Sequence, residues 1–342
     1  MSDRQISIAI DAMGGESSPL KAILGSEIFY QSNTGVKLVF FGDEKKISKI
    51  IKSKKIHIKN YDIFNCEDNV SDFDNPSTIL RSRKKSSIYQ GLSFVKQNKN
   101  SGFVSAGNTA AIMILSRLIL GMIDGISRPA ICSHIPNIKS YSLMLDLGAN
   151  VYVSANNLID FALMGYSYFS VIDPNRSPKI GLVNIGTENN KGLEFLQEAH
   201  NLISNSNLNE NFIGFIEPNK ITSGECDIIL SDGYTGNIIL KTAEGLSQFI
   251  TSNLKQVFNK SFFNKISFKI LENDLKKFRN QINPEEYNGA SLMGLNGISV
   301  KSHGSATPYA FSCAINKCLD FIVNDLNKKL VDNFKKFSHN AK

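Results

Sequence analysis

Short apolar runs recur along this chain. Each ends in a loop carrying glycine, aspartate or asparagine, and most lead into a stretch with helical apolar spacing. Ile6 to Ile10 runs into Asp11-Ala12-Met13-Gly14-Gly15-Glu16. Phe103-Val104-Ser105 leads into Ala106-Gly107-Asn108-Thr109, and Ala110 to Leu120 continues with helical spacing. Ser142 to Asp146 leads into Leu147-Gly148-Ala149-Asn150, and Ile180 to Ile185 into Gly186 to Gly192 with a helix to about Ile203. The clearest copy is Asp227 to Ser231, then Asp232-Gly233-Tyr234-Thr235-Gly236-Asn237, with a helix starting at once. Buried strands alternating with helices predict βαβ crossovers: an α/β fold of three layers around a mostly parallel sheet. In such sheets, ligands bind at the carboxyl ends of strands, so these loops are the place to look for chemistry.

Two regions break the rhythm. After Pro76, a good helix opener, Arg81, Arg83, Lys84 and Lys85 fall close together and are followed by Ser86-Ser87. This is either a solvated basic face or a cationic wall for an anionic substrate. From Leu254 to Phe278, Leu254, Val257, Phe258, Phe262 and Ile266 keep helical spacing with lysines between them. Such a segment either lies on an anionic membrane surface or packs against a partner subunit; paired helices projecting from a dimer would satisfy both.

At 342 residues, with no linker or low-complexity tract, a single α/β domain over 1–342 is expected, with a helical tip at about 250–280. The polar start Met1 to Gln5 enters a strand directly and reads as no signal peptide, and Ala110 to Ile123, interrupted by Arg117, is too short to span a bilayer and reads as a core helix. Five scattered cysteines without a CxxC pair favour reduced thiols in a cytoplasmic protein. The net charge of +7 accompanies a general abundance of lysine. It suits an acidic partner or surface, and no stacking module or helix-turn-helix signature points to nucleic acid.

Gly107-Asn108-Thr109 at a helix start offers backbone N–H groups and a hydroxyl, a natural phosphate cradle. The loop Lys301-Ser302-His303-Gly304-Ser305 follows a strand at Ile298 to Val300, precedes a helix from Tyr309 to Asp325, and adds an ammonium, an imidazole and hydroxyls. Walker A, GxGxxG, GxSxG and HExxH signatures are absent, which argues against P-loop, dinucleotide, serine-hydrolase and zinc chemistry; no cofactor and no resident metal are expected. Asp11, Asp146 and Asp232 would hold a divalent ion only if the fold brought them together; each can equally order its own loop.

Taken in order, Asp11 to Gly15, Ser105 to Thr109, Arg128-Pro129-Ala130-Ile131, Leu145 to Asn150, Asn184-Ile185-Gly186 with Lys191-Gly192, Asp232 to Asn237, and Gly294-Leu295-Asn296-Gly297 with Lys301 to Ser305 resemble the bacterial phosphate acyltransferase (PlsX) family of phospholipid synthesis. The resemblance runs from about Ile6 to Asp325. It departs from the family pattern at Glu16, Ala110, Thr187 to Asn190 and Glu217-Pro218-Asn219, which bears on carboxylate roles near residues 16 and 188.

The resemblance implies a fold akin to phosphotransacetylases and isocitrate/isopropylmalate dehydrogenases, a homodimer, and peripheral attachment to the inner membrane face. It also implies transfer of a long acyl chain from acyl carrier protein to inorganic phosphate. On that basis Asn108, Thr109, Lys191 and Lys301 are candidates for phosphate and oxyanion contacts. His303 and Ser305 would orient phosphate or move a proton, and Asp232 would fix the central loop. Asp11, Gly14, Gly15, Asn150, Gly233, Asn237, Lys84 and Lys85 complete the expected substrate-binding set. The carrier is acidic as a class, so the Arg81–Lys85 cluster or the lysines of 255–277 would steer it. A phosphotransacetylase-like enzyme using short acyl-CoA and a non-catalytic membrane-surface protein remain the alternatives.

Overall fold

In the computed structural model, residues 5–70, 74, 79, 83–260, 262–275 and 285–338 are described. The first half of the chain builds β1 (Ser7–Asp11), α1 (Leu20–Ser32), β2 (Lys37–Gly42), α2 (Glu44–Lys54), β3 (Tyr61–Asn65), α3 (Ser87–Gln97), β4 (Ser101–Ser105) and α4 (Thr109–Leu120). β1 and β4 are almost wholly buried, which is why their sequences are continuous apolar runs rather than alternating ones. The second half adds β5 (Ala130–Pro136), β6 (Tyr141–Leu145), α5 (Ala155–Ile172), β7 (Ile180–Val183), α6 (Glu194–Ser204), β8 (Phe212–Ile216), β9 (Ile228–Leu230) and α7 (Gly233–Asn259). After α8 (Phe262–Ile270), the chain returns as β10 (Ala290–Met293), β11 (Ile298–Lys301), α9 (Pro308–Val323) and α10 (Leu326–Ser338).

One eleven-stranded sheet runs through these elements in the order β3-β2-β1-β4-β11-β10-β5-β6-β9-β7-β8. The first five strands in that order are mutually parallel. So are the last four. β10 is antiparallel to both β11 and β5, and β5 is antiparallel to β6. Three reversals set the two parallel blocks in opposite directions. The expected mostly parallel, three-layer α/β fold is present, but it has two carboxyl-end rims rather than one.

Local chemistry sets the helix starts. Asn108 Oδ1 accepts the Ala111 N–H at 2.9 Å, Asp232 Oδ1 accepts the Thr235 N–H at 2.8 Å, and Ser86 Oγ accepts the Tyr89 N–H at 3.3 Å. α4 packs Ala111, Ile112, Leu115, Ile119 and Leu120 into the core as expected, while Arg117 and Leu118 (56% exposed) face outward. α7 buries Gly233 and Gly236 at its start, then continues with few neighbours. The helix start after Pro76, Arg81, the end of the amphipathic segment at Lys276 to Phe278, and the side chains of Lys255, Phe262 and Ile266 fall outside the described residues.

Candidate active site

The first rim gathers the loops after β1, β4 and β11. Asp11, the last residue of β1, is buried and accepts the Ser105 hydroxyl at 2.6 Å and the Met13 N–H at 3.0 Å. Ser105 Oγ in turn accepts the Gly107 N–H at 3.0 Å, which binds the loop after β4 to the loop after β1. Burial raises the Asp11 carboxyl above its ordinary range, while the Ser105 and Ser87 hydroxyls and the Met13 and Gly14 N–H groups hold it back.

The glycines between these loops are space requirements. A Cβ on Gly14 would sit 2.6 Å from the Gly107 nitrogen. Gly15, at φ +79°, lies against the carbonyls of Ala106 and Gly304, each 2.7–2.8 Å from where a Cβ would be.

Lys21, a residue the sequence did not single out, is buried under this rim. It donates to the Gly304 carbonyl at 2.6 Å. Burial lowers its pKa, opposed by the charges of Glu16 and Asp11. The Ser302 N–H donates to the Ser105 carbonyl at 2.8 Å, and the Glu16 N–H to that of Gly304 at 2.9 Å, so the three loops form one unit.

Within that unit, His303 Nδ1 pairs with Ser305 Oγ at 2.9 Å. Partial desolvation, then the charges of Lys301 and Lys241, lower the His303 pKa, and Glu244 opposes them. Desolvation and the two lysine charges each favour the neutral imidazole over the imidazolium. Lys301 closes β11 beside it, and Thr109 is exposed at the head of α4.

Asn288, also unforeseen, clamps the same loop. Its Oδ1 accepts the His303 N–H at 2.9 Å. Its Nδ2 donates to Ser302 Oγ at 2.8 Å and to the Ala310 carbonyl at 2.6 Å.

The second rim lies after β6, β7 and β9. Asp146 is fully buried and accepts the N–H groups of Ile131 (3.0 Å), Gly148 (3.1 Å), Ala149 (2.9 Å) and Asn150 (2.8 Å). Asn150 Nδ2 adds a further bond to Asp146 at 2.8 Å and one to the Pro129 carbonyl at 2.7 Å. The Gly233 N–H donates to the Asn150 carbonyl at 2.9 Å, and Asn237 faces Gly148. Gly236 packs directly on the Asp146 carbonyl, so no side chain fits there.

Asp232 caps α7 and also accepts the Thr235 hydroxyl at 2.7 Å. Lys191 arches over Gly186 and pairs with Glu188 at 2.7 Å, an exposed ion pair that depresses the Glu188 carboxyl.

The fold thus brings Asp11, Gly14, Gly15, Asn108, Thr109, Lys301, His303 and Ser305 together. Asn150, Lys191, Asp232, Gly233 and Asn237 belong to the other rim. α7 starts at Asp232 in the second rim, and its Lys241 and Glu244 act on His303 of the first rim through their charges. Asp11 and Asp146 are on strands separated by β4, β11, β10 and β5, so the three aspartates do not converge on an ion.

The basic cluster before α3 is also divided. Arg83 is bound by Asp68 at 2.8 Å and Asp74 at 2.8 Å, and Lys85 by Glu67 at 2.6 Å. Lys84 stands apart and borders a groove between α3 and α4.

The first rim gathers groups suited to a multiply charged anion: the helix N-terminus of α4, Lys21 and Lys301, the hydroxyls of Thr109 and Ser305, and the His303 imidazole. A family described as "Fatty acid synthesis protein" matches residues 6–329. A phosphate acyltransferase from Pelagibacter ubique is 39% identical over 329 residues, covering 96% of this chain and 98% of the relative. The chain belongs to the phosphate acyltransferase family. It is an acyltransferase, as its relatives are. A phosphate acyltransferase from Clostridium tetani is likewise 39% identical, covering 95% of this chain and 98% of its own. The fold matches a phosphotransacetylase from Streptococcus pyogenes with a TM-score of 0.64 at 14% identity, covering 94% of this chain and 95% of that one. The expected kinship of fold with phosphotransacetylases is therefore present.

Proposed function

We propose that this phosphate acyltransferase takes a long acyl chain from the thioester of an acyl carrier protein and gives it to inorganic phosphate, supplying acyl phosphate for phospholipid synthesis. The single observation that carries the reading is the convergence of the loops after β1, β4 and β11 beside the start of α4, where Lys21 bonds the Gly304 carbonyl and His303 pairs with Ser305.

An oxygen of hydrogen phosphate attacks the thioester carbonyl, the C–O bond forms, and the C–S bond breaks. The phosphate proton ends on the departing thiolate. Neutral His303 relays that proton, steadied by Ser305. Backbone N–H groups at Asn108 and Thr109 meet the oxyanion, and Lys301 balances phosphate charge. Lys191 takes a secondary role: it reaches substrate only by leaving Glu188. Asp232 and Asn150 hold the second rim in place.

The test is a purified-enzyme assay with a long-chain acyl–carrier thioester. Phosphate-dependent appearance of acyl phosphate with equal release of carrier thiol is expected. Turnover of short acyl-CoA alone would favour the phosphotransacetylase-like reading, and no turnover of either would leave a surface-binding protein.

The same reading makes the enzyme a cytoplasmic homodimer held peripherally on an anionic membrane. Supporting it, α7 and α8 expose Leu246, Phe249 (65%), Val257, Phe263 (79%) and Ile270 (78%), a run of apolar surface that single soluble chains rarely present. No helix among the described residues is long and apolar enough to cross a membrane. Phe263→Glu should release the enzyme from anionic vesicles with solution activity retained, whereas a smaller, inactive species by sedimentation would assign this position to the subunit interface instead.

A further inference from the structure

The groove between α3 and α4 measures about 380 Å³ and is lined by Lys84, Tyr89, Ser93, Lys96, Gln97, Leu118 and Ile119. Neither the cradle nor the amphipathic tip uses it. Its chemistry is distinctive. Among the described residues, no carboxylate lies within ion-pair distance of Lys84, Lys96 or nearby Arg117, although Arg83 and Lys85 beside Lys84 are both neutralised. Leu118 stands 56% exposed among these cations, an apolar anchor at the mouth.

We propose that this groove docks one acidic, amphipathic helix of the carrier protein. The assignment rests on the carrier-thioester reading above and deepens it. Lys84 and Lys96 meet carboxylates on the helix, and Leu118 meets its apolar edge. A small-molecule acyl chain is the poorer fit, because Lys84, Ser93, Lys96 and Gln97 make most of the wall polar.

Placement supports the assignment independently. α3 and α4 both begin at the first rim: the Ser87 hydroxyl faces Asp11, and Asn108 caps α4. Leu118 lies near the far end of α4. At 1.5 Å per residue, the helix from Asn108 to Leu118 spans about 15 Å. A carrier presents its thioester at the end of a pantetheine arm, whose extended backbone is about 17 Å at the per-bond length of an extended chain. A carrier seated on the groove therefore places its thioester at the cradle without moving the protein.

The test compares two substrates with the same acyl group, one on the carrier protein and one on pantetheine alone. The variant is Lys96→Glu with Leu118→Ser, full-length and checked for folding by circular dichroism. The expected result is a loss of at least tenfold in kcat/KM for the carrier thioester, through KM, with a weaker salt dependence. The pantetheine thioester and phosphate saturation should be unchanged, and Lys96→Arg with Leu118 intact should behave as wild type.

Equal losses on both substrates would overturn the proposal by making the groove part of the catalytic machinery. Unchanged carrier kinetics would overturn it outright, and a smaller species by sedimentation would reassign the face to an interface between copies of this chain. A wild-type enzyme that turns over pantetheine thioesters but no carrier thioester would instead remove the parent reading, and this inference with it.

Discussion

Asp11 and Asp146 hold matching places in the two halves of the molecule, each at the carboxyl end of a buried strand and each raised above the ordinary carboxylate range by burial. Their surroundings differ. Asp146 is saturated by four backbone N–H groups and an amide, and Asn150, Gly233 and Gly236 close over it. Asp11 bonds hydroxyls and a short loop, and around it lie Lys21, His303 and the open head of α4. One carboxylate knits backbone into a scaffold. The other underlies groups that still have bonding capacity for a substrate. The same strand-loop-helix pattern thus serves two purposes, and the donors around the carboxylate decide which.

The largest expected effect separates the two aspartates. Asp146→Leu strips a buried network of its acceptor and should lower unfolding free energy by at least about 3 kcal/mol, read from urea denaturation. Asp11→Asn keeps shape and should cost far less stability while reducing turnover. If the two variants lose stability equally, the contrast between scaffold and site fails.

Next come the lysines. Lys301→Met should reduce kcat/KM for phosphate by roughly 10–100-fold, the equivalent of one charge-assisted contact of about 1.5–3 kcal/mol. Lys191→Met should lose less, since its ammonium is shared with Glu188, and Glu188→Gln should then improve phosphate saturation slightly. A larger loss at Lys191 than at Lys301 would move the phosphate site to the second rim.

Asn288→Leu removes the clamp on the His303 loop. It should lower kcat about tenfold with little change in carrier KM, and the acid limb of the pH profile should broaden or shift as the imidazole loses its fixed surroundings. Unaltered kcat and pH profile would show that the loop orders itself.

The smallest effect is a pH shift. His303 acts neutral, so kcat/KM should fall as pH drops through its lowered pKa, below the ordinary 6.5. Lys241→Gln removes a cation that lowers that pKa, so the acid limb should move to higher pH. Glu244→Gln removes an opposing anion, and the limb should move lower. If neither limb moves, α7 does not reach the first rim electrostatically, and the link between the halves is broken.

The α/β class, the loops at strand ends and the helix starts that follow Gly107 and Asp232 were legible in the sequence because they depend on neighbours a few residues away; the cap at Asn108 is what the structure adds there. A capping side chain bonds an N–H three positions on, and a buried strand is apolar throughout. The resemblance added the reaction by the order of its motifs. Other features were hidden because they depend on distant partners. Nothing in the local sequence marks Lys21 as buried beneath Gly304, or Asn288 as the clamp of His303. The Arg83 guanidinium reads as a free cation until the fold brings Asp68 and Asp74 to it. β10 lies antiparallel between β11 and β5, and the antiparallel pairing of β5 with β6 then turns the second block round, so residues that read as one rim fall on two. Short-range hydrogen bonding and apolar periodicity are written along the chain; strand direction, burial and charge pairing arise only when segments far apart in sequence meet, and here those decided which loops form the site.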